Sequence, residues 1–250
     1  MGCCKCEEYG WDDPQDAIVC DMKRREYCLF HAPAELKEGR HEELMDSAWE
    51  RINCVTEYNV GLPEAEHKVC ELSGSIFADD AYFTDLFLLG DTDFSNTTFG
   101  GCTFFSKAIF RGNCFFSKAI FRETVFFVET IFAGEASFFE ATFEKEGAFL
   151  ATFFLAEISF ANISFRREAS FAEAIFCGDT YFSQISFEGK GDFSRASFFK
   201  EVEFFEATWN AIRKTDSGRE ITPPVFAWPD KTIVRMPPDF GSQERHVAFS

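Results

Sequence analysis

Residues 105–115 read FSKAIFRGNCF, and residues 116–126 read FSKAIFRETVF. These blocks are one eleven-residue unit written twice, and the unit extends in both directions. Its first large residue runs Leu72, Phe83, Phe94, Phe105, Phe116, Phe127, Phe138, Phe149, Phe160, Phe171, Phe182, Phe193 and Phe204. Its second runs Phe77, Leu88, Phe99, Phe110, Phe121, Phe132, Phe143, Phe154, Phe165, Phe176, Phe187, Phe198 and Trp209. The large residues are therefore five apart, then six, through thirteen units. A fixed period outranks local propensity, because each unit has to pack on its own copies.

A second column confirms the register. Two residues before each large residue stands a small or modest apolar residue, or Thr, Ser or Cys: Ala108, Cys114, Ala119, Val125, Ile158 and Ala174 are examples. No charge occupies this column. Charges fall elsewhere, as at Lys107, Arg111, Glu129, Glu140 and Glu173. Inward residues two apart with polar neighbours mark a short strand with one buried face. A helix would need apolar residues three and four apart, where this unit is charged.

One such step cannot bury its own ring and must stack on the next coil. The iterated pattern of a small residue, any residue, then Phe resembles the pentapeptide-repeat family from Cys70 to Trp209. That resemblance implies an all-β fold, a right-handed quadrilateral parallel β-helix with four short faces per coil. Here every second step holds six residues, so a four-sided coil would hold 22. The extra residue falls in segments such as Leu89-Gly90-Asp91 and Arg111-Gly112-Asn113. Gly there suits a bulged corner with positive φ, and where Lys145, Arg167 or Lys200 replaces it the corner must take another conformation or bear some strain. Six and a half coils at about 4.8 Å each give a rod of roughly 30 Å. Burying a Phe contributes about 1.5–3 kcal/mol, so a ladder of such rings is expected to be the core rather than a ligand site.

The rest of the chain divides around this rod. Residues 1–33 form a Cys/His-rich module, 34–69 a helical cap or linker, 70–209 the β-helix, and 210–250, with five prolines, an irregular tail or cap. In the first module Cys28-x-x-His31 has chelating spacing. Cys20 and one of the leading cysteines complete a set of three thiolates and an imidazole, as structural zinc requires. The set is Cys6, Cys20, Cys28 and His31, with Cys3 and Cys4 as competitors for the first place. The segment Tyr9-Gly10-Trp11, Cys20, Tyr27-Cys28 and Phe30-His31 also resembles a cysteine-rich motif that precedes pentapeptide repeats in some microbial proteins. The alternatives are free thiols on an irregular tail, or acylation at Gly2 and Cys3, although Cys6 stands where that signal needs Ser or Thr. Leu36, Leu44, Ala48, Ile52 and Val55 make a helical apolar stripe expected to cover the first coil near Leu72 and Phe77.

Composition excludes several function classes. The net charge of −18 argues against direct binding to nucleic acid. No apolar run is long enough for a membrane span, and no secretory signal is visible. Ten Cys without an export signal point to a reducing, cytoplasmic setting. Four His, all outside the repeats, and no phosphate loop or nucleophile elbow argue against an enzyme. The expected role is a non-catalytic scaffold or module that binds an unidentified protein partner. Some pentapeptide-repeat proteins protect DNA gyrase by imitating duplex DNA, so the resemblance implies an alternative: a DNA-mimicking inhibitor or protector of a type II topoisomerase. Phe104, Phe115, Phe126, Phe139, Phe153, Phe199 and Phe205 fall on outward positions. They either form a contact surface or turn inward beside a second Phe.

Overall fold

The structure is a computed structural model that describes residues 2–12, 15–209 and 234–235. Cys70 to Trp209 wind into a parallel β-solenoid whose strands are two residues long. Each strand pairs with the strand 22 residues on, Ile109 with Ile131 and Cys114 with Ala136, so the sequence period is the coil. The strands stack into four parallel sheets, one per wall. The first face opens at Cys70–Glu71, the second at Ile76–Phe77, the third at Ala81–Tyr82 and the fourth at Phe87–Leu88.

Alternation along the short strands sends every Phe of both columns, from Phe77 to Phe204, into the interior. Rings one coil apart lie parallel: Phe94 on Phe116 at 5.0 Å, Phe116 on Phe138 at 4.8 Å, Phe138 on Phe160 at 5.1 Å. Neighbouring columns meet edge to face, as Phe105 does with Phe116 at 5.5 Å and 78°. Both geometries suit the ring quadrupole. Several inward hydroxyls are served by backbone, though those of Ser75 and Thr92 are not. Thr97, Thr130 and Thr152 donate to the carbonyls of Leu72, Phe105 and Phe127. None of the outward Phe turns in: Phe139, Phe199 and Phe205 are exposed, and Phe104, Phe115, Phe126 and Phe153 are half-buried.

The corners differ in part from expectation. Positive φ recurs at every short corner, whereas among the described long corners only Gly90 (φ 114°) has it. Each short corner, from Gly74 (φ 69°) through Lys107 (φ 61°) and Glu140 (φ 57°) to Glu206 (φ 52°), holds one left-handed residue. It is the third residue of a tight turn closed, for example, by Ala108 N–H donating to Phe105 O at 2.9 Å, which is the type II requirement. Lys145, Arg167 and Lys200 on the long corners keep negative φ. Gly112 and Gly134 are needed there for proximity instead. A Cβ on either would overlap the backbone of the glycine one coil earlier, Gly90 or Gly112. Corner side chains also join the coils: Asp91 accepts from Asn113 N–H, and Asn113 Oδ1 accepts from Glu135 N–H.

Ahead of the solenoid lie α1 (Cys4–Glu8), a hairpin of β1 (Val19–Cys20) and β2 (Glu26–Tyr27), and α2 (His41–Asn59). The helical stripe read from 34–58 resolves into a single turn at Ala34–Leu36 and then α2, separated by Gly39 at φ 75°. α2 buries Leu44, Met45, Ala48 and Ile52 against the first coil. It also satisfies that coil's open polar edge. Arg51 Nε donates to Glu71 O at 2.7 Å, Trp49 Nε1 to Tyr82 O at 3.0 Å, and Asn59 Nδ2 to the carbonyls of Leu89 and Lys68. Removing residues 1–60 is therefore expected to lower the melting temperature and make the rod self-associate at its bared end. A truncated rod that stays monodisperse and melts with the full chain would remove this account of α2.

Among the described residues no helix is long and apolar enough to cross a membrane. Of the segment 210–250, expected to be an irregular tail, only Val234–Arg235 are described. They add one parallel rung beside Val202–Glu203. The rest of that expectation lies outside the described residues.

Candidate metal centre

The N-terminal segment brings four metal-type ligands to one buried point against the solenoid. Cys3 precedes α1 and Cys6 lies within it. Cys28 follows β2, and His31 ends the next turn, which Ala32 N–H closes on Cys28 O at 3.0 Å. Cys6, Cys28 and His31 from the expected set meet here, and the fourth member is Cys3. Cys20 stands apart. It is exposed, with its thiol 3.5 Å from Asp21 O. The hairpin register explains this. Cys20 pairs with Glu26 and Val19 with the buried Tyr27, and cross-strand partners share a face. Cys20 therefore points to solvent with Glu26. Cys4 is exposed as well.

The donor atoms of the four residues all lie within 4.8 Å of one another. Zinc binds sulfur at about 2.3 Å and imidazole nitrogen at about 2.0–2.1 Å. At tetrahedral angles these lengths set sulfur–sulfur edges of about 3.8 Å and sulfur–nitrogen edges of about 3.6 Å. The Cys6–Cys28 sulfur pair is 3.8 Å apart. Nδ1 of His31 lies 3.6, 3.5 and 3.3 Å from the sulfurs of Cys3, Cys6 and Cys28. The cluster thus has the size of a closed tetrahedral site for a thiophilic divalent metal.

The surroundings orient the ligands. His31 Nε2 donates to Ser73 O at 3.0 Å, which leaves Nδ1 as the nitrogen facing the sulfurs. Tyr9 stacks on the imidazole at 5.4 Å, and Trp11 meets it edge-on at 4.6 Å. Trp11 Nε1 shares the Ser73 carbonyl at 3.1 Å, and Arg51 covers the Trp11 ring at 4.4 Å. Gln15 N–H donates to the Cys6 sulfur at 3.4 Å. Cys28 is held well below the ordinary thiol range, to about 4, first by the hydrogen bond from Cys6 and then by His31, against the opposing effect of burial.

Three thiolates around a divalent ion carry a net negative charge, and a buried cation stands close by. Lys37 is 5% exposed, and its ammonium donates to Phe30 O at 2.6 Å and Ile76 O at 2.7 Å. Burial pulls its pKa down to about 7, while Cys28 and Cys3 push it back up. Lys37 thus ties the ligand-bearing turn to the first coil, beside the Ile76 N–H bond to Phe30 O at 2.9 Å. Gly74 completes the seam. With φ at 69° it lies under the Tyr9 ring, where a Cβ would overlap ring carbons. Gly74→Ala is expected to cost about 1–3 kcal/mol, measured as a lower denaturant midpoint. A variant as stable as the parent would show that Tyr9 does not seat there.

No family model matches this sequence, and neither a curated protein nor a solved structure matches the chain.

Proposed function

We propose that the chain is a non-catalytic scaffold and protein-binding module, a solenoid of the pentapeptide-repeat kind closed at its N-terminal end by a structural zinc ion. The observation that supports this reading is the division of labour in the rod. Phenylalanine fills the interior along its length, so the interaction chemistry belongs to the outward residues. Those include large apolar groups at the corners, among them Phe139 at 37% and Phe205 at 56% exposure between the first and second faces. The proposed zinc set, Cys3, Cys6, Cys28 and His31, already supplies four protein ligands, which suits a structural ion. The depression lined by His41, Asp79, Asp80 and Tyr82 holds a carboxylate already in use, since Asp80 Oδ1 accepts from Cys102 N–H. Free thiols throughout the described chain accord with a reducing, cytoplasmic setting.

Affinity capture from native lysate tests the reading. The metal-loaded chain should retain a stoichiometric protein partner that a Phe139→Glu/Phe205→Glu variant retains less well. Equal recovery by both forms, or no retained protein, would count against it.

A second reading draws on one observation. Asp91, Glu135, Glu157, Asp179 and Glu201 form a carboxylate column at the corner between the fourth and first faces, interrupted at Asn113. Such a column could imitate a phosphate backbone and direct the rod to a type II topoisomerase. Its rungs are about 4.8 Å apart, against about 3.4 Å per phosphate along one DNA strand. Lys107, Lys118 and Arg122 also interleave positive charge, so the scaffold reading is preferred. A supercoiling assay unchanged by micromolar protein would retire the mimic.

A further inference from the structure

The fourth face differs from the other three in what it turns outward. Its strands present Phe87, Ile109, Ile131, Phe153 and Ile175 in one column, ended by Ser197. A second column, two residues on, reads Leu89, Arg111, Ala133, Leu155, Cys177 and Phe199, apolar but for the exposed Arg111 on the second rung. Phe87 is 49% exposed, Leu155 46% and Phe199 62%. The first face mixes Phe115 and Tyr181 with Glu71, Asp93, Ser137, Ser159 and Glu203 at the matching position, and the second has Ile76 and Ile120 but Thr or Ser on its other rungs. The third is apolar only in its first half, where Tyr82, Phe104 and Phe126 stack at 5.1 Å before Ser170 and Asp192 follow. A largely apolar wall along a rod of this length marks a contact site.

The charges beside this wall say what covers it. On the corner that leads into the fourth face, Asp85, Lys107, Glu129, Ala151, Glu173 and Arg195 occupy successive rungs. Suppose a second copy packs face to face about a twofold axis running along the strands, between the Ile131 and Phe153 rungs. The first rung then meets the sixth, the second the fifth and the third the fourth. Asp85 falls opposite Arg195 and Lys107 opposite Glu173, each pair occurring twice, while Glu129 meets Ala151. The apolar columns match in the same operation: Ile109 faces Ile175, Ile131 faces Phe153 and Ala133 faces Leu155. An axis parallel to the rod would instead set Lys107 against Arg111. The carboxylates Glu135 and Glu157 lie past the far corner, at the start of the first face, and are exposed.

We propose that the fourth face is the interface of an antiparallel homodimer. A second copy is the partner because it carries the same rung repeat, so every row meets a row, and because the charges on the leading corner complement themselves only in this orientation. α2 borders the first rung, with Asn59 and Thr56 bonded to the Leu89 backbone. The antiparallel arrangement sends the two α2 helices and the two Cys/His clusters to opposite ends of the dimer. Arg195 also bridges to Glu173 in its own chain at 3.0 Å, so the seam is a network rather than isolated pairs. This inference uses neither the metal nor the scaffold reading.

The full-length, metal-loaded chain tests it in sedimentation equilibrium. The parent should sediment as a dimer, and Ile131→Lys as a monomer with an unchanged far-ultraviolet spectrum. Lys107→Glu should weaken the dimer about tenfold, and Lys107→Glu/Glu173→Lys should recover most of that loss. Leu155→Glu serves as the second disrupting variant should Ile131→Lys disturb the fold. A monomeric parent, a dimer indifferent to both disrupting variants, or a charge swap that fails to rescue Lys107→Glu would each overturn the proposal.

Discussion

Purified without chelator, the chain is expected to carry one zinc ion, and Cys28→Ser is expected to abolish that binding. Cys3→Ser, Cys6→Ser and His31→Ala should behave alike, while Cys20→Ser and Cys4→Ser keep full stoichiometry. The contrast follows from the sulfur and nitrogen separations, which fit a tetrahedron with Cys3 as its fourth corner and leave Cys20 facing water. The consequence for stability is large because His31, Lys37 and Trp11 fasten the cluster to the first coil. At free zinc a thousandfold above its dissociation constant, linkage contributes about 4 kcal/mol. For a chain of this size that is roughly 8–16 °C in melting temperature. Metal content by mass spectrometry, with melts before and after chelation, provides the check. A zinc-free protein, or one that loses zinc on Cys20→Ser, would sink the assignment.

Phe138→Ala is expected to cost about 3–5 kcal/mol, as a fully buried aromatic does when it leaves a cavity. The adjacent Phe139→Ala should stay within about 0.5 kcal/mol. Phe138 stacks on Phe116 and Phe160, and meets Phe127 and Phe149 edge-on at 5.5 and 5.7 Å. Phe139 is 37% exposed at a corner. The two substitutions remove the same atoms one residue apart, so composition and helix or strand propensity cancel. Urea unfolding of both variants decides it. Equal losses would mean that the stacked column is not the core.

The solenoid was legible because its signal is redundant. Phe105 and Phe116 are in register with each other and with every later unit, and no single substitution hides a period of eleven. The corners were less legible. A Gly in a loop signals either positive φ or a close neighbour, and Gly112 alone does not say which. Only the stack shows that Gly90 lies directly beneath it, while Lys107 and Glu140 take the left-handed place despite having side chains. The buried Cys/His cluster was legible to three members of four. Cys20 is nearer to Cys28 in sequence than Cys3 is, but hairpin register decides where a thiol points, and a two-residue strand carries no pattern to reveal it. A usable signal was present in the spacing itself: Cys3-x-x-Cys6 and Cys28-x-x-His31 are two chelating pairs of identical separation. On the fourth face Phe153 and Phe199 were identified singly, while Phe87, at 49% exposure, was missed along with the outward Ile of the same column.

The bond from His31 to the Ser73 carbonyl anchors the first coil of the rod. In a stack where each coil leans only on its neighbours, opening begins at whichever terminus is least anchored. Amide exchange in the Phe columns beside Ser73 should therefore be slow, and chelation should speed it there by releasing that end.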